Sequence, residues 1–303
     1  MNEKKKKNRI RISASDRTMD VIVYMITAVV IVFTLYPLIY VVSMSISDPI
    51  RAARGEVILL PKGLSILSYN KVLQDLTILR YYGNTIWYTV VGTLLGLVTT
   101  MMGAYPLTRR KFVGRKLFNT MLIVIMFFGG GMIPTYIVIV KFLHLYNTRW
   151  AMVLPSLTSA FYIFMARNFI LSLPEELIES AKIDGASEFS VLGRIVVPLS
   201  KPIIAVLAMY FAVGYWNSYF PALLYQGDKS LHPLGMYVRQ VVIQNSMNTT
   251  AELISTDMTA ENFLSNLQLK YTVIVVAVVP LLLAYPFFGK HLKKGLMIGA
   301  LKG

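Results

Sequence analysis

The chain contains no cysteine. Disulfides, thiolate metal sites and thiol redox chemistry are therefore excluded, while the compartment stays open. Histidine is nearly as scarce. His144, His232 and His291 have no ligand-like spacing and read as loop or interfacial residues, so no metal site is expected. Acidic residues are the third scarcity: 15 Asp and Glu stand against 30 Lys and Arg, a formal net charge of +15. Not one Asp or Glu lies between Asp75 and Glu175. No catalytic set clusters at one depth, and no G-x-x-x-x-G-K-[ST] phosphate loop occurs. Nucleic-acid binding needs a basic patch on a globular domain, and the pattern shows no such domain.

Apolar length is what the sequence has instead. It is 55% hydrophobic and 15% charged, whereas a soluble domain is about 45–50% apolar with roughly a quarter charged. Runs long enough to cross a bilayer, about 17–25 residues, recur along the chain. The expected fold is all-α and polytopic, with six transmembrane helices. A basic tail (1–20) leads to spans at about 21–44, 83–107, 117–140, 150–171, 202–224 and 271–289, and a C-terminal tail (290–303) follows. The first run exceeds the 7–15 residues of a signal-peptide core, and no small-x-small site follows it, so it reads as an uncleaved span. "FFGGGMIP", Phe127 to Pro134, predicts a kink or unwound turn inside the third span.

Lys and Arg in short flanks set the orientation. They cluster before the first span (Lys4 to Lys7, Arg9, Arg11, Arg17), after the second (Arg109, Arg110, Lys111, Arg115, Lys116) and after the sixth (Lys290, Lys293, Lys294, Lys302). Both termini and the loop 172–200 are then expected on the cytoplasmic side of a bacterial cell membrane. That loop holds five of the fifteen acids, Glu175, Glu176, Glu179, Asp184 and Glu188. Ser172 and Glu175 have capping-box spacing, with Pro174 just inside the start. Gly185 suits a left-handed cap, and Ser187 suits the start of a second short helix. Leu177, Ile178, Ala181 and Ile183, then Phe189, Leu192 and Ile195, give the pair an apolar side, and Pro198 ends it. On pattern alone, a docking knob and an ordinary solvated connection fit equally well.

Glu179-Ser180-Ala181, Gly185 and Ile195-Val196-Val197-Pro198 resemble the "EAA" loop of ABC-importer membrane subunits, which reads E-A-A, three residues, G, nine residues, I-x-L-P. The spacing is kept, with Ser180 for Ala and Val197 for Leu as mild departures. "AKIDGAS" and "PLSKP" are similar to the carbohydrate-uptake branch that includes the maltose-transporter membrane subunits. "GGGMIPTYIVIVKFLHLYNTRWAMVLPS" and "KKGLMIGALKG" are similar to the aldouronate- or lipoprotein-type oligosaccharide permeases. The resemblance covers nearly the whole chain and implies a type I importer permease. It implies that the loop forms cytoplasmic coupling helices seated in an ATPase subunit, with Glu175, Glu179, Ala181, Asp184, Gly185, Ala186 and Pro198 in the coupling role. It further implies a homologous second permease, two ATPase subunits that carry ATP-Mg, an extracellular solute-binding (lipo)protein and a sugar substrate. This chain itself then binds no cofactor and is no enzyme. The alternative within the same architecture is a non-sugar solute such as a polyamine or phosphate.

For the sugar path, Tyr215, Trp216, Asn217 and Tyr219 are expected to form one aromatic–amide surface on the fifth span, with Gly130 and Met132 at the break in the third giving it room. Interfacial anchoring competes as a reading of these aromatics. Arg167 and Asn168 read as interface anchors, and the Met-rich runs read as packing.

Overall fold

The computed structural model describes residues 14–252 and 268–286, with side chains from 17–243 and 268–286. Most of the basic tail, the end of the sixth expected span (287–289) and the tail 290–303 lie outside the described residues. The helices include, in chain order, α1 (Ala14–Ile46), α2 (Leu76–Ala104), α3 (Arg115–Phe127), α4 (Met132–Phe142), α5 (Ala160–Leu171), α6 (Glu175–Ile183), α7 (Glu188–Leu199), α8 (Lys201–Trp216), α9 (Phe220–Tyr225), α10 (Leu234–Glu252) and α11 (Gln268–Pro286). Among the described residues β structure is limited to one isolated bridge, Ser47 to Leu64.

Three helices are long and apolar enough to cross a membrane, and two bent pairs raise the number to five among the described residues. The bends occur where local chemistry allows them. α3 and α4 meet at 112° across Phe128–Gly131, where Gly131 takes φ 81°, ψ 165°, a region open almost only to glycine. α7 and α8 meet at 84° between Pro198 and Pro202, two residues without a backbone N–H to continue the ladder. The stretch expected as a fourth span is two pieces. A short turn, Trp150–Val153, and α5 are separated by Leu154–Ser159, which contains Pro155. At 1.5 Å per residue, α5 alone reaches only about 18 Å, short of the ~30 Å hydrocarbon core. A sixth passage is therefore available only if the two pieces cross together.

The chain divides into two compact units, 1–69 with 257–275 and 70–256 with 276–303. In the first, Asp48 accepts from the backbone N–H groups of Ile50 and Arg51 and so starts the turn Pro49–Ala53. Buried Gln268 has its polar groups satisfied, as burial requires. Its Nε2 donates to the carbonyls of Ser45 (3.0 Å) and Ser47 (2.6 Å), and its Oε1 accepts from Ser68 Oγ (2.7 Å).

The second unit is built on α2 and α8. Gly92 and Gly96, one helical turn apart on α2, form a groove for the rings of Tyr215 and Phe211 from α8. Small residues at this spacing let helices approach closely. Below the groove lies the largest core, in which Met101, Ala104 and Tyr105 from α2 meet Ile163, Ala166 and Ile170 from α5 and Ile203 and Leu207 from α8. Ile178 of α6 and Val191 of α7 plug into the same core. Fully burying one such side chain contributes about 1.5–3 kcal/mol, so the two short helices are seated on the spans rather than hanging from them.

Candidate functional site

The acidic loop is an elbow. α6 begins with Glu175 and Glu176 in its first turn, where carboxylates suit the positive helix end. Gly185 has φ 81°, the left-handed conformation its position predicts. Its amide donates to Lys182 O (3.1 Å), and the amide of Ala186 donates to Ala181 O (3.0 Å), so the last carbonyls of α6 are paired. Ser187 Oγ accepts from Ser190 N and caps α7. Ser172 does something other than the capping box suggests. Its hydroxyl donates to Phe169 O (2.7 Å), one turn back in α5, and Pro174 itself occupies the N-cap of α6. Pro174 disfavours a helical Leu173, which separates Ser172 from α6.

The apolar side of the elbow is split. Ile178 is buried at 2% exposure, while Ile183 and Phe189 are 86% and 76% exposed. Glu175, Glu179, Asp184, Gly185 and Pro198 are exposed as well, and Ala181 and Ala186 pack half-buried against the core. The knuckle thus presents apolar side chains and carboxylates together on a fixed base. Behind it a cleft of about 890 Å³ runs to the end of α2, with Glu175 and Glu179 on one side and Arg109, Arg110 and Lys111 on the other.

Glu188 joins the two sides. Its Oε1 accepts from Lys182 Nζ at 2.6 Å and its Oε2 from the Tyr105 hydroxyl at 2.6 Å. Partial burial pushes its carboxyl up, but the bonds from Lys182 and Tyr105, with the nearby Lys182 and Arg109 charges, outweigh that and hold it below its ordinary value. Sequence reasoning counted Glu188 among the acids without finding these partners. "GAYPL", with its tyrosine just before the proline that ends α2, was the available signal.

The expected aromatic–amide surface on the fifth span does not form. α8 ends at Trp216, Asn217 is its C-cap, and Tyr219 lies beyond the break. Asn217 is exposed at a helix end rather than deep in a helix. Tyr215 is buried and donates to Val153 O (3.0 Å), and Trp216 Nε1 donates to Ala277 O (3.0 Å). Both aromatics are therefore committed to neighbouring segments. Gly130 and Met132 are exposed at the α3–α4 break.

The structure instead brings Tyr215 together with a different set of aromatics. A pocket of about 270 Å³ opens where the fourth and fifth stretches break, lined by Tyr162, Tyr210, Phe211 and Tyr215 and by Ser156, Thr158, Ser159 and Ser218. The rings of Tyr162 and Tyr210 stack at 5.8 Å and 14°, and Phe211 meets Tyr162 edge-on at 4.9 Å. The broken backbone beside it is held. Thr99 Oγ1 donates to Leu157 O (2.9 Å), and Tyr215 takes Val153 O as above. Among the described residues no group of three or more His, Asp or Glu is placed to hold a metal ion.

Comparison with known proteins places this geometry. The family model "Binding-protein-dependent transport system inner membrane component" matches residues 92–298. The protein LplC of Bacillus subtilis (strain 168) is 43% identical over 271 residues, 89% of this chain and 90% of the relative. The polygalacturonan/rhamnogalacturonan transport system permease protein YtcP of the same organism is 34% identical over 290 residues, 95% and 99% of the two chains. In structure the chain is similar to part of a bacterial ABC transporter involved in the import of the acidic polysaccharide alginate, with TM-score 0.82, 29% identity, and coverage of 93% of this chain and 99% of that one.

Proposed function

We propose that this chain, which belongs to the binding-protein-dependent transport system inner membrane component family, is the permease subunit through which an oligosaccharide enters a bacterial cell. ATP, with its magnesium, is hydrolysed on two separate cytoplasmic subunits. A second, homologous permease completes the passage, and an extracellular binding protein delivers the sugar. Both termini and the elbow face the cytoplasm.

The observation that carries this reading is the elbow. Ile183 and Phe189 stand in the open between carboxylates, while Ile178 and Val191 of the same helices are locked into the core of the spans. An exposed apolar knuckle on a rigid base suits a groove in a partner. Glu175, Glu179 and Asp184 then face basic residues of the ATPase, Gly185 sets the angle, Ala181 and Ala186 seat the knuckle, and Pro198 delimits it before the bend into α8. Closure of the ATPase dimer pushes the knuckle, and the core carries the displacement to α2, α5 and α8.

The sugar substrate is supported by the names of the relatives and by the pocket at the breaks. Sugars present flat C–H faces and hydroxyls, so a path for them needs aromatic platforms beside hydrogen-bonding groups. Tyr162 and Tyr210, with the serine and threonine residues that line the same pocket, supply both in one place. These residues take the role expected of Trp216 and Tyr219. The spans between Asp75 and Glu175 contain no carboxylate to repel an acidic sugar.

The test is reconstitution of this chain with its partner permease, ATPase subunits and binding protein in liposomes. Uptake of labelled oligosaccharide should require ATP and the binding protein. ATP-driven uptake of a polyamine or of phosphate, with no oligosaccharide uptake, would reject the sugar reading.

A further inference from the structure

We infer that Tyr105, Glu188 and Lys182 form a clasp that makes the elbow and α2 move as one body, with Glu188 as its positioning residue. This rests on the coupling role proposed for the elbow. The three side chains come from three elements. Tyr105 directly follows α2, Lys182 is in the last turn of α6, and Glu188 opens α7. Both carboxylate oxygens are used, one for each partner, at 2.6 Å. Hydrogen bonds to an ionised group at this length are the strong kind.

The placement matters more than the strength. Lys182 and Glu188 lie three residues on either side of Gly185, so their bond spans the hinge and fixes its angle. At Gly185 itself the turn is held by its own backbone bonds, and a Cβ built there would meet no other side chain within 4 Å. Tyr105 carries that fixed angle to α2. Its ring is 4% exposed and packed into the core, with the Arg109 guanidinium 5.1 Å from the ring centroid. A push on the knuckle therefore has two routes into the spans. The apolar plugs Ile178 and Val191 carry it through close packing, which fixes no particular angle at the turn. The clasp is directional, and it reaches α2 through a single oxygen.

The competing reading is that these bonds only hold the loop in shape. The two separate in the reconstituted transporter, in the ratio of sugar taken up to ATP hydrolysed, because loss of folded complex lowers both quantities together. Tyr105→Phe keeps the ring in the core and removes only the hydroxyl. We expect it to copurify with the ATPase and to lower uptake per ATP by about 5–150-fold, the range of typical coupling free energies. Glu188→Ala should do the same or more. The exchange Lys182→Glu with Glu188→Lys restores an ion pair across Gly185, and the Tyr105 hydroxyl can accept from the new lysine, so it should recover coupling relative to either single change. Wild-type uptake per ATP in Tyr105→Phe, with the complex intact, overturns the clasp. A wild-type chain that supports no ATP-driven uptake overturns the transport reading, and the clasp with it. Loss of the complex in Glu188→Ala leaves the decision to Tyr105→Phe.

Discussion

Gly92→Ala is the sharpest perturbation the packing offers. A Cβ built on Gly92 would lie 2.4 Å from the Tyr215 ring, and one on Gly96 would lie 2.7 Å from the Phe211 ring. Real Cβ atoms do not approach carbon that closely, so the ring or the helix must move. Tyr215 cannot swing freely, because its hydroxyl holds Val153 O at 3.0 Å. Overpacking of this kind costs about 1–3 kcal/mol, and a broken Tyr215 bond adds about 0.5–1.5 kcal/mol. Alanine returns roughly 0.5–1 kcal/mol as a better helix former than glycine. The net loss is about 0.5–4 kcal/mol. Thermal unfolding of the purified subunit in detergent measures it. Gly214→Ala is the control, since a Cβ there meets nothing within 4 Å and only the helix gain remains. Tyr215→Leu in the Gly92→Ala background should cost less than the two changes summed, because neighbours that clash are not additive. A Gly92→Ala chain that melts at or above the wild-type temperature refutes the argument, since the ring would then not fill the glycine groove.

Further outcomes follow from the elbow and the pocket. Gly185→Ala should cost only the left-handed strain, about 1 kcal/mol, with coupling retained, whereas Gly185→Leu should insert normally and lose ATPase association; equal ATPase binding by both removes the knuckle from the interface. Tyr162→Ala and Tyr210→Ala should lower oligosaccharide uptake with membrane level unchanged and with a loss that depends on the sugar offered, while Trp216→Ala should instead lower subunit stability; uptake indifferent to both tyrosines rejects the pocket as part of the path. Because the chain has no native cysteine, single thiols report sidedness: Arg110→Cys and Ser187→Cys should label only from inside and Lys62→Cys only from outside, and outside labelling of Ser187→Cys would refute the cytoplasmic elbow. The Glu188 carboxyl is depressed in the fold, so its contribution is complete above its unfolded value of about 4.3 and drains away only as pH falls through the lower folded value; proteolytic nicking at 183–188 that increases between about pH 7 and about pH 5.5 would contradict this.

The parts of the fold legible in the sequence are those decided within one turn of the chain. Gly185 at φ 81° and Ser187 capping α7 depend on neighbours three or four residues away. The third span breaks at its glycines for the same local reason. Ser172 shows the limit, because two local devices compete there. The capping-box spacing to Glu175 is real, but Pro174 forces the chain out of the helix, and the hydroxyl turns back to Phe169. Span five failed on another count. Asn217, Ser218 and Pro221 are the local marks of the end of α8 at Trp216, but two polar residues and a proline inside an apolar run do not by themselves tell a break from a continuous span. That end put Asn217 at an exposed cap and split the expected aromatic surface in two.

What the sequence withheld in the site is long-range pairing, and the breaks explain why it matters. A broken span leaves carbonyls without an intrahelical partner, and in an apolar setting each needs a donor from elsewhere. Gly and Pro announce the breaks, but the donors are remote: Thr99 reaches Leu157 O and Tyr215 reaches Val153 O. Those two bonds fix the rim of the pocket that Tyr162 and Tyr210 line, so the pocket is a by-product of how the break is satisfied. Tyr105 and Glu188 follow the same logic at the other site, where a break after α2 and a break at Gly185 are tied to each other by side chains 83 positions apart. A glycine or proline in an apolar run thus locates a site along the chain, and the residue that completes the site is the one polar group on a packed neighbouring segment whose reach ends at the break.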